Sequence, residues 1–131
     1  MTRRAWWWTA VGAWCLLVFV LSSVPGRDLP AMPAENFDKL VHAAVYGVLG
    51  ALCLLAVLAT WRLRAAVAAT LAVGLATIYG ISDELHQLLT PGRSCDIHDV
   101  MADLVGSVIG VAALSLLVIV RARKRIDRPQ A

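Results

Sequence analysis

An all-α bundle of four membrane-spanning helices is the fold class this sequence predicts, and three observations predict it. The 131 residues are 60% apolar and only 16% charged, where a soluble domain carries about 25% charge. The apolar residues fall into four runs, each near the roughly 20 residues a helix needs to cross about 30 Å of hydrocarbon. All five prolines fall outside those runs, where the backbone can leave the lipid. Four spans consume the chain, so one polytopic unit is expected over residues 1–131.

The first run, 5–24, follows Arg3 and Arg4 and opens with Trp6, Trp7 and Trp8, the pattern of an interfacial aromatic anchor. A secretory leader also starts basic and turns apolar, and Arg3-Arg4 matches the pair of a twin-arginine signal. The run exceeds the about 7–15 residues of a leader's apolar region, which favours a retained span. The connection 25–36 holds Pro25, Pro30 and Pro33 with Arg27, Asp28 and Glu35, so it belongs at or beyond the interface. The second run, 37–60, confines Asp38, Lys39, His42 and Tyr46 to its first three turns.

After Trp61-Arg62-Leu63-Arg64, the third run, 65–89, places Tyr79, Asp83, Glu84, His86 and Gln87 toward its end. Antiparallel helices joined at Arg62 bring these two polar ends to one depth. Thr90 to Ser94 is a Pro-Gly turn, Cys95 to Asp99 leads into the fourth run, 100–120, and a basic tail, 121–131, follows. Cys15 and Cys53 lie inside runs and Cys95 alone in a polar loop, which reads as three free thiols.

Charge sets the orientation. Nine of the twelve basic residues, Arg3, Arg4, Arg62, Arg64, Arg121, Arg123, Lys124, Arg125 and Arg128, fall on one side. The positive-inside rule makes that side cytoplasmic, with both termini inside. Eight of the nine carboxylates fall on the other side, Asp127 being the exception. The tail would meet anionic lipid headgroups rather than nucleic acid.

Ionisable residues inside a span cost about 2.5–3.5 kcal/mol each on insertion scales, so several together call for a shared polar recess facing away from lipid. Helical spacing gathers them. Asp38, His42 and Tyr46 share one stripe, as do Tyr79, Asp83 and Gln87 with Glu84 beside them, and Asp99, Asp103, Gly106 and Gly110 share a third. The Gly106 to Gly110 segment would let that face approach a neighbour closely.

Blander readings stand beside these. Asp38 and Lys39 read equally well as interfacial charges, His86 and His98 as exposed interface residues, and Tyr46 and Tyr79 as core aromatics with satisfied hydroxyls. His42 lies a turn deeper with Asp38 four residues before it, an arrangement for an oriented general base. Arg93 reads best as a clamp for phosphate or for the carboxylates.

These residues resemble the VanZ-like membrane proteins. Ser22-Ser23-Val24-Pro25-Gly26, Leu29-Pro30 and Phe37-Asp38-Lys39-Leu40-Val41-His42 with Tyr46 and Gly47 are similar to the front half of that family. Glu84-x-x-Gln87, Pro91-Gly92-Arg93 and Asp99-x-x-x-Asp103-x-x-Gly106 are similar to its Glu-x-x-Gln, Pro-Gly-Arg and Asp-x-x-x-Asn-x-x-Gly signature. The resemblance covers about positions 20–115. Asp103 stands where the family often has Asn, a carboxylate that must be paired, protonated or bound to a cation.

The resemblance implies a bacterial cell-envelope role, through a namesake tied to glycopeptide resistance and a superfamily proposed to include lipid-headgroup enzymes. The expectation is therefore an enzyme of the inner, cytoplasmic membrane that cleaves or transfers a headgroup on a phospholipid or polyprenyl-linked wall precursor at the extracytoplasmic face. His42, Glu84 and Asp99 would be catalytic; Arg93, Gln87, Asp38, Tyr46, Asp83 and Asp103 would hold substrate. Carboxylates with one imidazole would also suit a hard divalent cation, calcium or magnesium, although no compact ligand motif is present. The alternative is a non-catalytic module binding a wall precursor or glycopeptide antibiotic. An ion path is disfavoured because the inner halves of the runs lack polar residues.

Overall fold

The computed structural model describes residues 2–30, 34 and 37–126. Its helices are α1 (Arg3–Ser22), α2 (Phe37–Thr60), α3 (Ala65–Gln87) and α4 (Ile97–Ile126), with one 3₁₀ turn, Gly26–Asp28, between α1 and α2. All four helices are long and apolar enough to cross a membrane, and no strand occurs among the described residues. Glu35, Asp127 and Arg128, named above for their charge, lie outside the described residues, as do the side chains of Lys124 and Arg125.

The helix ends follow local chemistry. Thr2 caps α1 through its Oγ1, which accepts the Ala5 N–H, and Ser23 closes it two residues before Pro25. Helix α3 stops at Gln87, short of the expected 89, because Pro91 biases Thr90 away from helical backbone. Helix α4 starts at Ile97 rather than 100: the Asp96 side chain accepts the His98 N–H at 2.9 Å, an N-cap bond that nucleates the first turn. The same helix runs on through the basic segment to Ile126, beyond the expected 120.

Contacts at both ends of the bundle set α1 antiparallel to α2 and parallel to α3. Trp8 Nε1 donates to Thr60 Oγ1 at 2.9 Å and meets Trp61 edge-on, joining the start of α1 to the end of α2. Ser22 Oγ donates to Asp83 Oδ2 at 2.9 Å, joining the end of α1 to the end of α3. Helix α2 packs on the other three, whereas α1 touches only α2 and α3. Two deep bonds hold this peripheral helix, Trp14 Nε1 to the Val45 carbonyl and the Tyr79 hydroxyl to the Cys15 carbonyl.

Small residues let the inner helices close up. Ala68, Ala72, Ala76 and Gly80 form the buried face of α3, at the four-residue spacing of one stripe. A side chain at Gly106 or Gly110 would overlap the carbonyl oxygens of Ala43 and Gly47, so glycine sets the α2–α4 separation. Polarity is distributed inside out: Ile78 is 67% and Leu89 82% exposed, while Asp103 and Ser107 are fully buried. Such a surface suits acyl chains, and its interior collects the charges that lipid rejects.

Candidate active site

At the end of the bundle opposite Trp8 and Trp61, the start of α2, the end of α3 and the start of α4 converge beneath the two long connections. His42 is held there from α4: its Nδ1 lies 2.9 Å from Asp103 Oδ1 and its Nε2 4.0 Å from Asp99 Oδ2. The Tyr46 ring stacks parallel to the imidazole, with centroids 6.3 Å apart. Glycine at position 80 leaves room for this pair, since a Cβ there would stand 2.7 Å from Asp103 Oδ2 and 3.2 Å from the Tyr46 ring and would displace the carboxylate.

Lys39 forms a second centre. Its Nζ lies 3.2 Å from Asp38, 3.3 Å from Asp96 and 3.2 Å from Asp99, tying the first turn of α2 to the first turn of α4. Hydrogen bonds from the His98 backbone and side chain, followed by Lys39, hold the Asp96 carboxyl down at about 2. Asp96 is therefore a carboxylate throughout the ordinary pH range, and its cap on α4 persists.

Glu84 supports the loop from beneath. Its Oε2 accepts the Asp96 N–H at 3.0 Å and its Oε1 accepts from Gln87 Nε2 at 3.0 Å. Gln87 Nε2 also lies 3.3 Å from Asp83 Oδ2, the oxygen bonded by Ser22. Above, the Gly26 N–H donates to the Pro91 carbonyl, and Gly92 takes a left-handed φ of 74°. A side chain at Gly26 would overlap the Gly92 carbonyl, so these glycines allow the two connections to lie against each other and place Arg93 over the site.

The result is a cavity of about 580 Å³. Val18, Leu21, Leu29, Phe37 and Val41 supply apolar wall, while Asp38, His42, Tyr46, Asp83, Gln87, Arg93 and Asp99 supply polar wall. Of the nine residues the sequence assigned to catalysis or substrate, only Glu84 and Asp103 stand behind the lining. One ligand atom each from His42, Glu84 and Asp99 lies within 4.8 Å of the others, a spacing that would hold a hard cation. Lys39 already places a positive charge against Asp99.

The VanZ/LLP1 family matches residues 6–119, all four helices and both polar connections included. The chain belongs to the VanZ/LLP1 family. No curated relative and no solved structure matches it.

In this VanZ/LLP1 protein several site groups escaped the sequence reading. Lys39 reads as an interfacial charge until α4 brings Asp96 and Asp99 to it, and Ser22 only as part of a family-like stretch near the end of the first run until α3 brings Asp83. Arg93 lines the cavity, but no carboxylate among the described residues lies within 4.0 Å of it. Asp99 and Asp103 therefore support His42, not Arg93. His86 and His98 lie apart from the cavity lining, His86 bonding Ser23 and His98 bonding Asp96. The Tyr79 hydroxyl is satisfied as expected; that of Tyr46 has no hydrogen-bond partner.

Proposed function

We propose that this VanZ/LLP1 protein is a membrane enzyme that cleaves or transfers the headgroup of a phospholipid or polyprenyl-linked lipid. The observation that carries this reading is the His42–Asp103 pair on a cavity with apolar walls. Asp103 at Nδ1 orients the imidazole and stabilises it when charged, which leaves Nε2 for proton transfer. The apolar side of the cavity would take the proximal lipid chain, and the Arg93 guanidinium would hold the phosphate.

In the reaction, His42 Nε2 takes a proton from water or from an acceptor hydroxyl, and the oxygen attacks the headgroup phosphorus. The bond to the leaving oxygen breaks, and Nε2 returns its proton there. Asp99, on the cavity wall 4.0 Å from Nε2, stabilises the imidazolium together with Asp103. Glu84 supports the 93–96 loop and is the reserve acid–base group, while Gln87, Asp38, Asp83 and Tyr46 contact the headgroup.

The positive-inside rule supports placing this end on the extracytoplasmic face of the cytoplasmic membrane, with the basic tail on anionic headgroups inside. An effect on glycopeptide susceptibility would then follow from altered lipid or wall precursor at that face. Purified protein in bilayers of defined headgroup tests the reading by mass spectrometry of the products. Product with the native chain and none with His42→Gln is expected; no product from any phosphate-bearing lipid, or undiminished product from the variant, removes it.

A binding module without turnover is favoured by one observation, that both Glu84 oxygens are already engaged by Asp96 and Gln87. In that case the same bilayers yield retained lipid and no product.

A further inference from the structure

Among the described residues, the cavity wall carries one charge of each sign without a charged partner. Asp38 and Asp99 both bond Lys39, and Asp99 also faces His42. Asp83 differs: its Oδ2 accepts only from the neutral Ser22 and Gln87, and no cation among the described residues lies within 4.0 Å. Its Oδ1 has no hydrogen-bond partner, although the residue is 5% exposed and lines the cavity. The hydroxyl of Tyr46, 1% exposed on the same wall, lies beside the Asp83 carboxyl with no hydrogen bond of ordinary length and adds only a neutral donor there. Arg93 lines the same cavity, with no carboxylate partner within the same range among the described residues.

A buried carboxylate with only neutral donors is costly, and a wall of carboxylates repels a ligand whose sole charge is a phosphate. Both penalties are relieved by one ligand that brings an anion to Arg93 and a cation with N–H donors to Asp83. We infer that the lipid taken by this cavity has a zwitterionic headgroup, a phosphodiester seated on Arg93 and a primary ammonium seated on Asp83 with Tyr46 beside it. This rests on the headgroup-lipid reading above and selects within it. A purely anionic glycerol-type or polyprenyl diphosphate headgroup leaves Asp83 unanswered, and a quaternary ammonium brings no N–H to its Oδ1.

The test is competition for the purified full chain in nanodiscs, read by native mass spectrometry, among phospholipids of one acyl composition with ethanolamine, choline or glycerol headgroups. Ethanolamine lipid is expected to be held about tenfold over the other two, the factor for a charged hydrogen bond. In Asp83→Asn, which keeps an acceptor for Ser22 and Gln87, that preference disappears. Arg93→Gln weakens all three. Choline or glycerol lipid held as well as ethanolamine lipid by the native chain, or a preference that survives Asp83→Asn, overturns the inference and leaves the headgroup-lipid reading standing. Retention of none of the three overturns the inference, and with no product from a polyprenyl-linked lipid either it overturns the headgroup-lipid reading as well.

Discussion

His42 Nδ1 lies 2.9 Å from Asp103 Oδ1 across the seam of α2 and α4, two helices held at that separation by Gly106 and Gly110. The pair joins packing to chemistry, since the same small residues that let the helices close bring the carboxylate to the imidazole. Asp103→Asn keeps an acceptor for an Nδ1–H but loses the negative charge facing the imidazolium. Turnover on headgroup lipid should fall about 100-fold, with His42→Gln lower still, inside the 10²–10⁴ span of positioned acid–base catalysis. Both variants should extract and elute as the native chain does, and rate constants from product mass spectrometry measure the loss.

Lys39 is the only cation among the described residues within 4.0 Å of Asp38, Asp96 and Asp99 at once. Lys39→Gln leaves three carboxylates facing one another. The melting temperature in detergent should drop by several degrees and recover partly on adding magnesium or calcium, the cation then sitting where His42, Glu84 and Asp99 already offer ligand atoms. The native chain should melt at the same temperature with and without chelator, because Lys39 supplies that charge.

How much of this was legible in the sequence differs from element to element. The end of α2 came directly from hydropathy, because Trp61 and the arginines after it stop a second half that is bare hydrocarbon. The start of α4 did not, because Asp96, Ile97 and His98 look like loop until the Asp96 side chain is seen capping the turn. Stripes at helical spacing put His42, Tyr46, Asp83, Gln87 and Asp99 on facing surfaces, and they do line one cavity. Periodicity could not tell which acid meets which base. Asp38, four residues from His42, was the local partner; the partner found is Asp103, 61 residues away on another helix. The pairing depends on how closely α2 and α4 approach, a tertiary quantity that one strand of sequence reports only through its glycines.

Those glycines yield a stability prediction with an internal control. Gly106→Ala or Gly110→Ala drives a methyl into backbone carbonyls of α2, which cannot give way as a side chain would. The cost should be about 1–3 kcal/mol, as for other overpacked contacts. Gly12→Ala and Gly74→Ala meet nothing within 4 Å and should leave unfolding unchanged or slightly improved. Denaturation in mixed detergent micelles, followed by circular dichroism, separates the two pairs.

Arg93 reaches the cavity only because Gly26 and Gly92 let the two connections lie together. Arg93→Lys retains charge but loses the planar fork that grips two phosphate oxygens, so KM for headgroup lipid should rise about tenfold with kcat less affected. Gly26→Val, which touches no substrate, should raise KM in the same way by displacing the 91–93 backbone. A Gly26→Val enzyme with native KM would show that the connection does not position Arg93.

The placement proposed for the cavity, at the extracytoplasmic face, rests on charge asymmetry and is open to direct measurement through Cys95. This thiol is exposed in the α3–α4 connection, Cys53 is buried, and Cys15 is half-buried on α1. In a Cys15→Ala, Cys53→Ala background, an impermeant maleimide added to intact cells should label Cys95 to completion. A cysteine placed instead at Arg121, with Cys95→Ala, should label only after the membrane is opened. The opposite pattern would put the His42 cavity on the cytoplasmic leaflet, leaving its geometry intact and changing which pool of lipid reaches it.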